Sequence, residues 1–501
     1  MATTTFDQIS STTRSGLFHV EVRSGGTPYQ DRPRTLYIAQ KLASGSATLS
    51  VPVLVPSEIA ADAYFGAGSD LARMCRTGMM NRPTNEFWAL PMPDPTGADA
   101  ATGMIAIAAI PGGGISGPMI VEIGGVQVVA AVTKADTQIT AATALAAAIN
   151  AALVEVSAAT NANAGEVELT ARHPGALGND IDIYVPASGN AIGGTQSVVT
   201  AMSGGAATPA LAQWTTALAA LGDDEFDTWG QPWTDTVSLD AIKAEFDERW
   251  HDNQQIYGHM ITAKKATVGA LSSLGSARNN SHESIIGFDG SPTGCQIWAA
   301  AVAAIAGFHL TDAGNGEISR PLRTLALKGV KPARDRLKLF TKSNKETLLY
   351  DGISTYDVMR DGTVQIDRVI TTYSQAPTGA IDWTWLNINQ VYQAMYVVRS
   401  IRNAVLTAHG RQGLASTDRY DLEAITSPAE AKATLIAEYS RLERAGVVEN
   451  SGLFAQLVQV DRNETDADML DVYLPFDVVN QLHVFRTAAV LFRQFPQQAA
   501  A

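Results

Sequence analysis

Between Leu211 and Gly307 the chain switches repeatedly between two hydrophobic periods, and this switching constrains the fold more than any other feature. Helical patterns at Leu211 to Leu221 and Ser238 to Trp250 alternate with strand-like runs at Gln255 to Thr262 and Ser284 to Gly287. The series ends in an Ala-rich helical stretch from Gly294 to Gly307. Alternation of this kind predicts helices layered on a sheet, an α/β architecture. A similar pattern opens earlier, with strand-like residues Thr35 to Ala39 and Thr48 to Val55 and a helical stretch ending near Met80. It breaks at PMPDPTGADA, starting at Pro91, where prolines and a glycine remove ladder donors and restrict the chain. A domain boundary is expected there.

The stretch from Ala98 to Pro209 changes composition towards Ala, Gly, Val and Thr. It holds its own hairpin, MIVEI-GG-VQVVAAV, in which Gly124 and Gly125 supply the positive φ that a two-residue turn demands. A helix from Thr140 and strands at Val167 to Ala171 and Ile181 to Val185 complete a unit of its own. Eight acidic side chains stand there against Lys134 and Arg172. The stretch reads as an acidic insertion projecting from the main body.

With 501 residues and 46% hydrophobic content, the chain can bury several cores and reads as multidomain. Acids outnumber bases by 50 to 36, which argues against a phosphate-backbone ligand and directs attention to protein partners. Cys75 and Cys295 build neither a disulfide framework nor a zinc site by themselves. The opening MATTTFDQISSTTRSG lacks a basic region followed by an apolar one, so no signal peptide is read there. The apolar run from Ile297 to Phe308 is too short and Ala-rich to span a bilayer, and no membrane insertion is expected.

Strand-like alternation also appears at both extremities. Leu17, Phe18, Val20 and Val22 lie in one such run, and Leu482, Val484, Phe485, Val490 and Phe492 in another that extends from Leu482 to Phe495. Between them lies a long helix with Ile388, Val391, Met395, Val398 and Val405 as apolar positions and Gly410 as its expected C′ glycine. At 100° per residue, Arg399, Arg402 and His409 fall within about 80° of one another on that helix, a basic stripe on an acidic chain. A second helix begins at Ser427, a good N-cap, with Pro428 at its first position and Gly446 after its end. Met469 to Leu474 reads as a strand.

Two phrases carry a resemblance: LSSLGSARNNSHESIIGFDGSPTGCQIWAAAVAAIAG from Leu271, and RPLRTLALKGVKPARDRLKLFTKSNKETLLYDGISTYDVMRDGTVQIDRVITTY from Arg320. Both resemble the core of contractile phage tail sheath proteins of the Mu-like type, and the ending DVYLPFDVVNQLHVFRTAAVLFRQF does so too. The resemblance implies an α/β multidomain protein: an N-terminal arm (1–25), a subtilisin-like α/β sheath core (26–97 and 210–376), an inserted α+β or β-rich peripheral domain (98–209), an α+β C-terminal domain (377–480) and a C-terminal arm (481–501). It implies a structural subunit that polymerises in stacked rings around a tail tube and contracts to drive the tube through a host envelope. The implied partners are further copies of the chain, the tail tube protein, and baseplate and tail terminator proteins, in a virion tail assembled in host cytoplasm. Both extremities would be inter-subunit straps, and Arg399, Arg402 and His409 would face the tube. Alternatives are the sheath of a tailocin or of a secretion-type injection system, and a degenerate hydrolase-like binding protein.

A subtilisin-like fold invites a search for a triad. His282 lies beside Ser281 and near Asp289 in sequence, and His259 and His309 sit in apolar surroundings, but the Gly-Thr-Ser-Met-Ala phrase of the subtilase nucleophile is absent. No enzymatic activity is expected. GGGISG from Gly112 to Gly117 satisfies a dinucleotide spacing, yet Pro118 and a strand follow it where a helix N-terminus is required. No G-x-x-x-x-G-K-[ST], H-E-x-x-H or C-x-x-C spacing occurs, so neither a cofactor nor a metal is expected. Asn179 and Asp180 read as a strand-entry turn.

Overall fold

The computed structural model describes residues 33–108, 116–161, 165–311, 314–417 and 422–491. The first elements are β1 (Arg34–Gln40), β2 (Val53–Leu54), α1 (Glu58–Phe65), α2 (Asp70–Asn81) and β3 (Glu86–Met92). Then come β4 (Thr102–Ile107), β5 (Gly117–Ile123), β6 (Val126–Val132), α3 (Gln138–Ala151), β7 (Val156–Asn161), β8 (Glu166–Ala171), β9 (Ile183–Tyr184) and β10 (Ser197–Ser203). The alternating region supplies α4 (Leu211–Ala219), β11 (Thr228–Gly230), α5 (Thr236–Arg249), β12 (His259–Lys265), α6 (Val268–Ser276), β13 (Glu283–Phe288), α7 (Cys295–His309), α8 (Lys342–Tyr350), β14 (Ile353–Val358) and β15 (Val364–Arg368). The chain continues through α9 (Ile388–His409), β16 (Gly413–Leu414), β17 (Ile425–Thr426), α10 (Pro428–Arg444), α11 (Ser451–Leu457), β18 (Gln459–Arg462) and β19 (Leu470–Tyr473).

The two α/β stretches join in one sheet, ordered β15-β14-β13-β12-β11-β1-β3-β2, although more than a hundred residues separate β3 from β11 in sequence. Neighbours from β14 through β3 are parallel, and only the outermost strands β15 and β2 are antiparallel. A parallel sheet needs both faces covered. On one face lies α7, whose residues from Cys295 to Gly307 are all buried, and α2 packs beside it. The Tyr37 hydroxyl of β1 donates to the Ala300 carbonyl of α7 at 2.9 Å. On the other face Trp229 of β11 meets Phe246 of α5, with ring centroids 4.5 Å apart, and Trp214 of α4 meets Trp233 edge-on at 5.6 Å.

The Ala-rich sequence of α7 allows this burial. Alanine is the best helix former and its short side chain brings the helix axis close to the sheet. Gly307 shows how close: a Cβ there would stand 2.6 Å from Thr35 Oγ1 and 3.2 Å from Thr228 Oγ1.

Pro91 does not end the first α/β stretch. β3 runs through it to Met92, in register with Ala39 and Gln40 of β1. The Pro91 carbonyl accepts from Ser50 N, so its nitrogen faces the side where β2 has already stopped pairing and no donor is required. The strand expected over Thr48 to Val55 shrinks to Val53–Leu54 at that same edge. The strand expected over Gln255 to Thr262 begins only at His259, because the Tyr257 N–H donates to Glu225 Oε1 (3.0 Å) and leaves the ladder. β9 keeps only Ile183 and Tyr184 of the Ile181 to Val185 run. At Gly410 φ is −61°, so the helix does not close on a left-handed glycine, whereas Gly446 has φ +72°.

Residues from Ala101 to Met202 gather around their own hydrophobic cluster. It is built from the sheets β10-β4-β8-β7 and β6-β5-β9 and from α3, which buries Ala141, Leu145 and Ile149 at helical spacing. Gly124 and Gly125, at φ +55° and +78°, make the turn between β5 and β6. The acidic residues of this unit do not simply coat it. Glu155 is buried against Arg73 of α2 and accepts from Gln296 Nε2 of α7 at 2.8 Å. Arg334 pairs with Glu122 at 2.7 Å and also with Asp182, and Lys265 Nζ donates to the Asp180 carbonyl at 2.9 Å. Cations of the main body thus hold the acidic insertion at several points.

Placing a methyl group at the tightest helix–sheet approach, Gly307→Ala, is expected to lower unfolding free energy by about 1–3 kcal/mol. Urea denaturation checks it; an unchanged midpoint would show that α7 does not sit as close to β1 and β11 as described.

Candidate functional site

The elements that follow β15 lie against the N-terminal ends of the central strands. There α9 crosses the sheet: Tyr392 Oη and Thr228 Oγ1 are 2.6 Å apart, and Arg399 Nη1 meets Asp227 Oδ1, just before β11, at 2.5 Å. Arg399 also pairs with Glu225 at 2.8 Å and donates to the Tyr257 carbonyl at 3.2 Å. The second Asp227 oxygen accepts the Arg34 backbone N–H at 2.9 Å. One carboxylate therefore ties the starts of β1 and β11 to α9.

This arrangement corrects the expectation of a basic surface stripe. Arg399 is only 5% exposed and is neutralised from within. Arg402 is partly buried and donates to the Gln255 carbonyl at 3.1 Å. His409 lies within hydrogen-bonding distance of Gln412 Oε1 (2.7 Å) and Thr434 Oγ1 (2.9 Å). The stripe exists as an angular coincidence on the helix: Arg399 is turned inward, while Arg402 and His409 are half-buried. The acidic run Asp223, Asp224, Glu225 and Asp227 was the sequence signal of an internal partner.

Leu17, Phe18, Val20, Val22 and Phe492 lie outside the described residues. The described part of the C-terminal run makes no ladder in this chain, contrary to the strand expected from Leu482. Its root is tied down. Val478 bridges to Val448, Val479 N donates to the Val447 carbonyl, and Gln393 Nε2 donates to the Val479 carbonyl at 2.9 Å. Arg323 then holds the His483 carbonyl at 2.9 Å while pairing with Asp367 at the same distance. Beyond this last tie the apolar side chains face outward: Phe485 is 83% and Leu491 96% exposed, and Val484 and Val490 are exposed as well, as is Leu482 just before it.

The His483 ring is held neutral at this root. Burial, then the charges of Arg368 and Arg323, lower its pKa to about 4, with Asp367 acting in the opposite direction. Neither ring nitrogen has a hydrogen-bond partner among the described residues.

The histidines considered for catalysis have other surroundings. His259 Nε2 lies 2.8 Å from Ser284 Oγ, a serine that the sequence did not single out, but both residues are fully buried. Burial pushes the His259 pKa down to about 3. His282 packs against Trp250 with ring centroids 4.5 Å apart and planes tilted by 39°, and Asp289 lies at the opposite end of β13, near Lys338. His309 Nδ1 lies 2.6 Å from Glu317 Oε1. Among the described residues no group of three or more His, Cys, Asp or Glu side chains could hold a metal ion. A cavity of about 20 Å³ between Gln40, Asp70, Glu155, His173 and Gln296 has room for a single water. No helix among the described residues is long and apolar enough to cross a membrane.

Residues 204–372 match the family model of the phage tail sheath protein central domain. Across 491 residues the chain is 29% identical to the Mu-like prophage FluMu tail sheath protein of Haemophilus influenzae, covering 96% of this chain and 98% of that one. The chain belongs to the phage tail sheath family. It is a tail sheath protein of the Mu-like type, a structural component of a phage particle. Among solved structures, sheath tail proteins from Desulfitobacterium hafniense (11% identity, 93% of this chain and 97% of that one, TM-score 0.49) and Listeria innocua (12% identity, 90% and 93%, TM-score 0.48) are similar. So is a chain of the anti-feeding prophage baseplate (10% identity, 97% and 100%, TM-score 0.48).

Two outcomes are expected of the sheath chain's internal ties. Arg399→Met should destabilise it by about 3–5 kcal/mol in chemical denaturation, because Asp227 is left buried without its cation. The His483 root should respond to acid. Because docking lowers the His483 pKa from its ordinary 6.5 to about 4, the docked state is fully favoured above pH 6.5 and loses ground as pH falls from 6.5 towards 4. Hydrogen exchange at residues 479–485, measured across that window and corrected for intrinsic rates, should show protection falling with pH; His483→Gln should abolish the trend.

Proposed function

We propose that this chain is the subunit of a contractile sheath that stacks in rings around a rigid tail tube and shortens to drive the tube through a host envelope. The observation that carries the reading is the similarity to a Mu-like prophage tail sheath over nearly the whole of both chains. The parallel sheet with helices on both faces supports reading 26–97 and 210–376 as the subtilisin-like core. The separate hydrophobic cluster supports reading 98–209 as an inserted peripheral domain, with 377–480 a C-terminal domain. The work of contraction comes from the free-energy difference between two packings of the same subunits, the extended one being kinetically trapped. Tube, baseplate and terminator proteins are the partners, and assembly takes place in the host cytoplasm. A tube-facing role for α9 rests on Arg402 and His409; Arg399 is committed to Asp227.

The C-terminal segment after His483 acts as a strap to a neighbouring subunit, and residues 17–22 act likewise at the other extremity. An exposed apolar run with unused backbone donors and acceptors is suited to strand addition, each backbone hydrogen bond contributing about 1 kcal/mol net. Such a joint lets neighbours rotate without separating. The two-stranded sheet β18-β19, with an open edge on either side, offers a place for added strands.

The full chain should assemble into tubes visible by negative-stain microscopy, alone or on tail tube protein. A chain ending at Gln481 should remain folded and monomeric; tubes formed equally well by the truncated chain would remove the strap model.

A further inference from the structure

Two strongly charged surfaces are formed by residues outside the strap segments, the second of them on the hairpin whose edges are offered to the straps. Residues 328–342 place Lys328, Lys331, Arg336, Lys338 and, at the start of α8, Lys342 on one exposed stretch around Arg334, which is itself paired with Glu122 and Asp182, on a chain whose net charge is −14. The single acid of this loop, Asp335, is used locally, its Oδ1 accepting the Leu337 N–H at 2.9 Å. That turn holds Leu337 outward, 93% exposed, among the cations. The loop lies at the C-terminal end of the central sheet. Ser291, just past β13, donates to the Lys331 carbonyl at 2.7 Å, and Lys345 pairs with Asp357 near the end of β14.

The second surface is the β18-β19 hairpin, where Asp461, Glu464, Asp466, Asp468 and Asp471 are exposed. Its one cation, Arg462, turns back to donate to the Ala467 carbonyl at 2.8 Å. Asn463 Oδ1 fixes the turn by accepting from Thr465 N at 2.9 Å and Asp466 N at 2.8 Å. Met469, Val472 and Tyr473 are exposed beside the acids, an apolar counterpart for Leu337. The hairpin packs on α10, α10 packs on α9, and α9 crosses the N-terminal ends of the strands. The two surfaces therefore stand towards opposite ends of the sheet.

Complementary surfaces at opposite ends of one subunit make a heterologous contact, and repetition of such a contact generates an open helical polymer. We propose that the basic loop 328–342 of one copy docks on the acidic β18-β19 hairpin of a second copy. This rests on the reading of the chain as a self-assembling sheath and adds which surfaces meet. Opposed charge steers the encounter and rejects wrong registers, while Leu337 seated among Met469, Val472 and Tyr473 fixes the depth of docking. A contact built largely on charge weakens as salt rises, in a way the backbone-paired straps do not.

The test uses two full-length variants. The first carries Arg336→Glu, Lys338→Glu and Lys342→Glu; the second carries Glu464→Lys, Asp466→Lys and Asp468→Lys. All changes are at exposed positions, and circular dichroism and urea midpoints verify folding. Tube formation is read by sedimentation and negative-stain microscopy against the wild-type chain. Each variant alone should need at least about ten-fold more protein to assemble, because like charges now face each other at every contact. An equimolar mixture should regain assembly near the wild-type concentration, since each altered loop then meets an oppositely altered hairpin. If either variant alone assembles like the wild type, or if the mixture stays as unassembled as its parts, the docking proposal is wrong while the sheath reading stands. If the wild-type chain forms no tubes, alone or on tail tube protein, the sheath reading itself fails.

Discussion

The close approach of α7 to the central sheet is the constraint on which the other layers depend. A helix buried along its whole inner length leaves no room for side chains larger than Ala at most positions, and Gly307 marks where even Ala is too large. With that face sealed, α2 is fixed beside α7, and the polar side chains lying between elements acquire set partners. Gln296 on α7 reaches Glu155 of the insertion, and Asn85 reaches the Ala304 carbonyl. Position in the sheet thus propagates outward through α7 to parts of the chain distant in sequence.

Charge does the joining between layers. Arg399 secures the C-terminal helices to the strand starts through Asp227, and Arg73, Arg334 and Lys265 secure the insertion. Buried pairs of this kind add little net stability, yet they are costly to break because the partner is left unpaired. They suit a subunit that has to transmit force between its domains without their slipping. The surplus acid of the chain is therefore partly internal, and the β18-β19 hairpin is one of the places where exposed acids gather.

Much of the architecture was legible because it rests on local pattern. The switch between periods over 211–307 announced α4, α5, β13 and α7, the Gly-Gly turn announced the β5-β6 hairpin, and Ser427-Pro428 announced the start of α10. The family phrases from Leu271 and Arg320 lie largely within the stretch that the central-domain family model matches. Errors arose where a neighbour overrides local preference. Pro91 stays in a strand because its missing donor faces an unpaired edge, and Gln255 to Gly258 leave the ladder because Glu225 captures the Tyr257 N–H. For the candidate site, the exposed apolar run after Leu482 was readable as a pattern, but its root at Arg323 and His483 was not.

The sequence by itself determined the element types, the α/β class, the presence of a compositionally distinct unit between the two sheet-forming stretches, and the family. These follow from periodicity, turn residues and motif phrases, all of which act within a few residues of one another. Only the tertiary structure decided that Arg399 is an internal tie and not a surface cation, that β3 and β11 flank β1 across the insertion, and that the acids of the insertion face cations of the main body. The physical reason is that burial and charge pairing depend on distances in space between residues far apart in the chain. Angular position on a helix says which residues share a face; it does not say what that face meets.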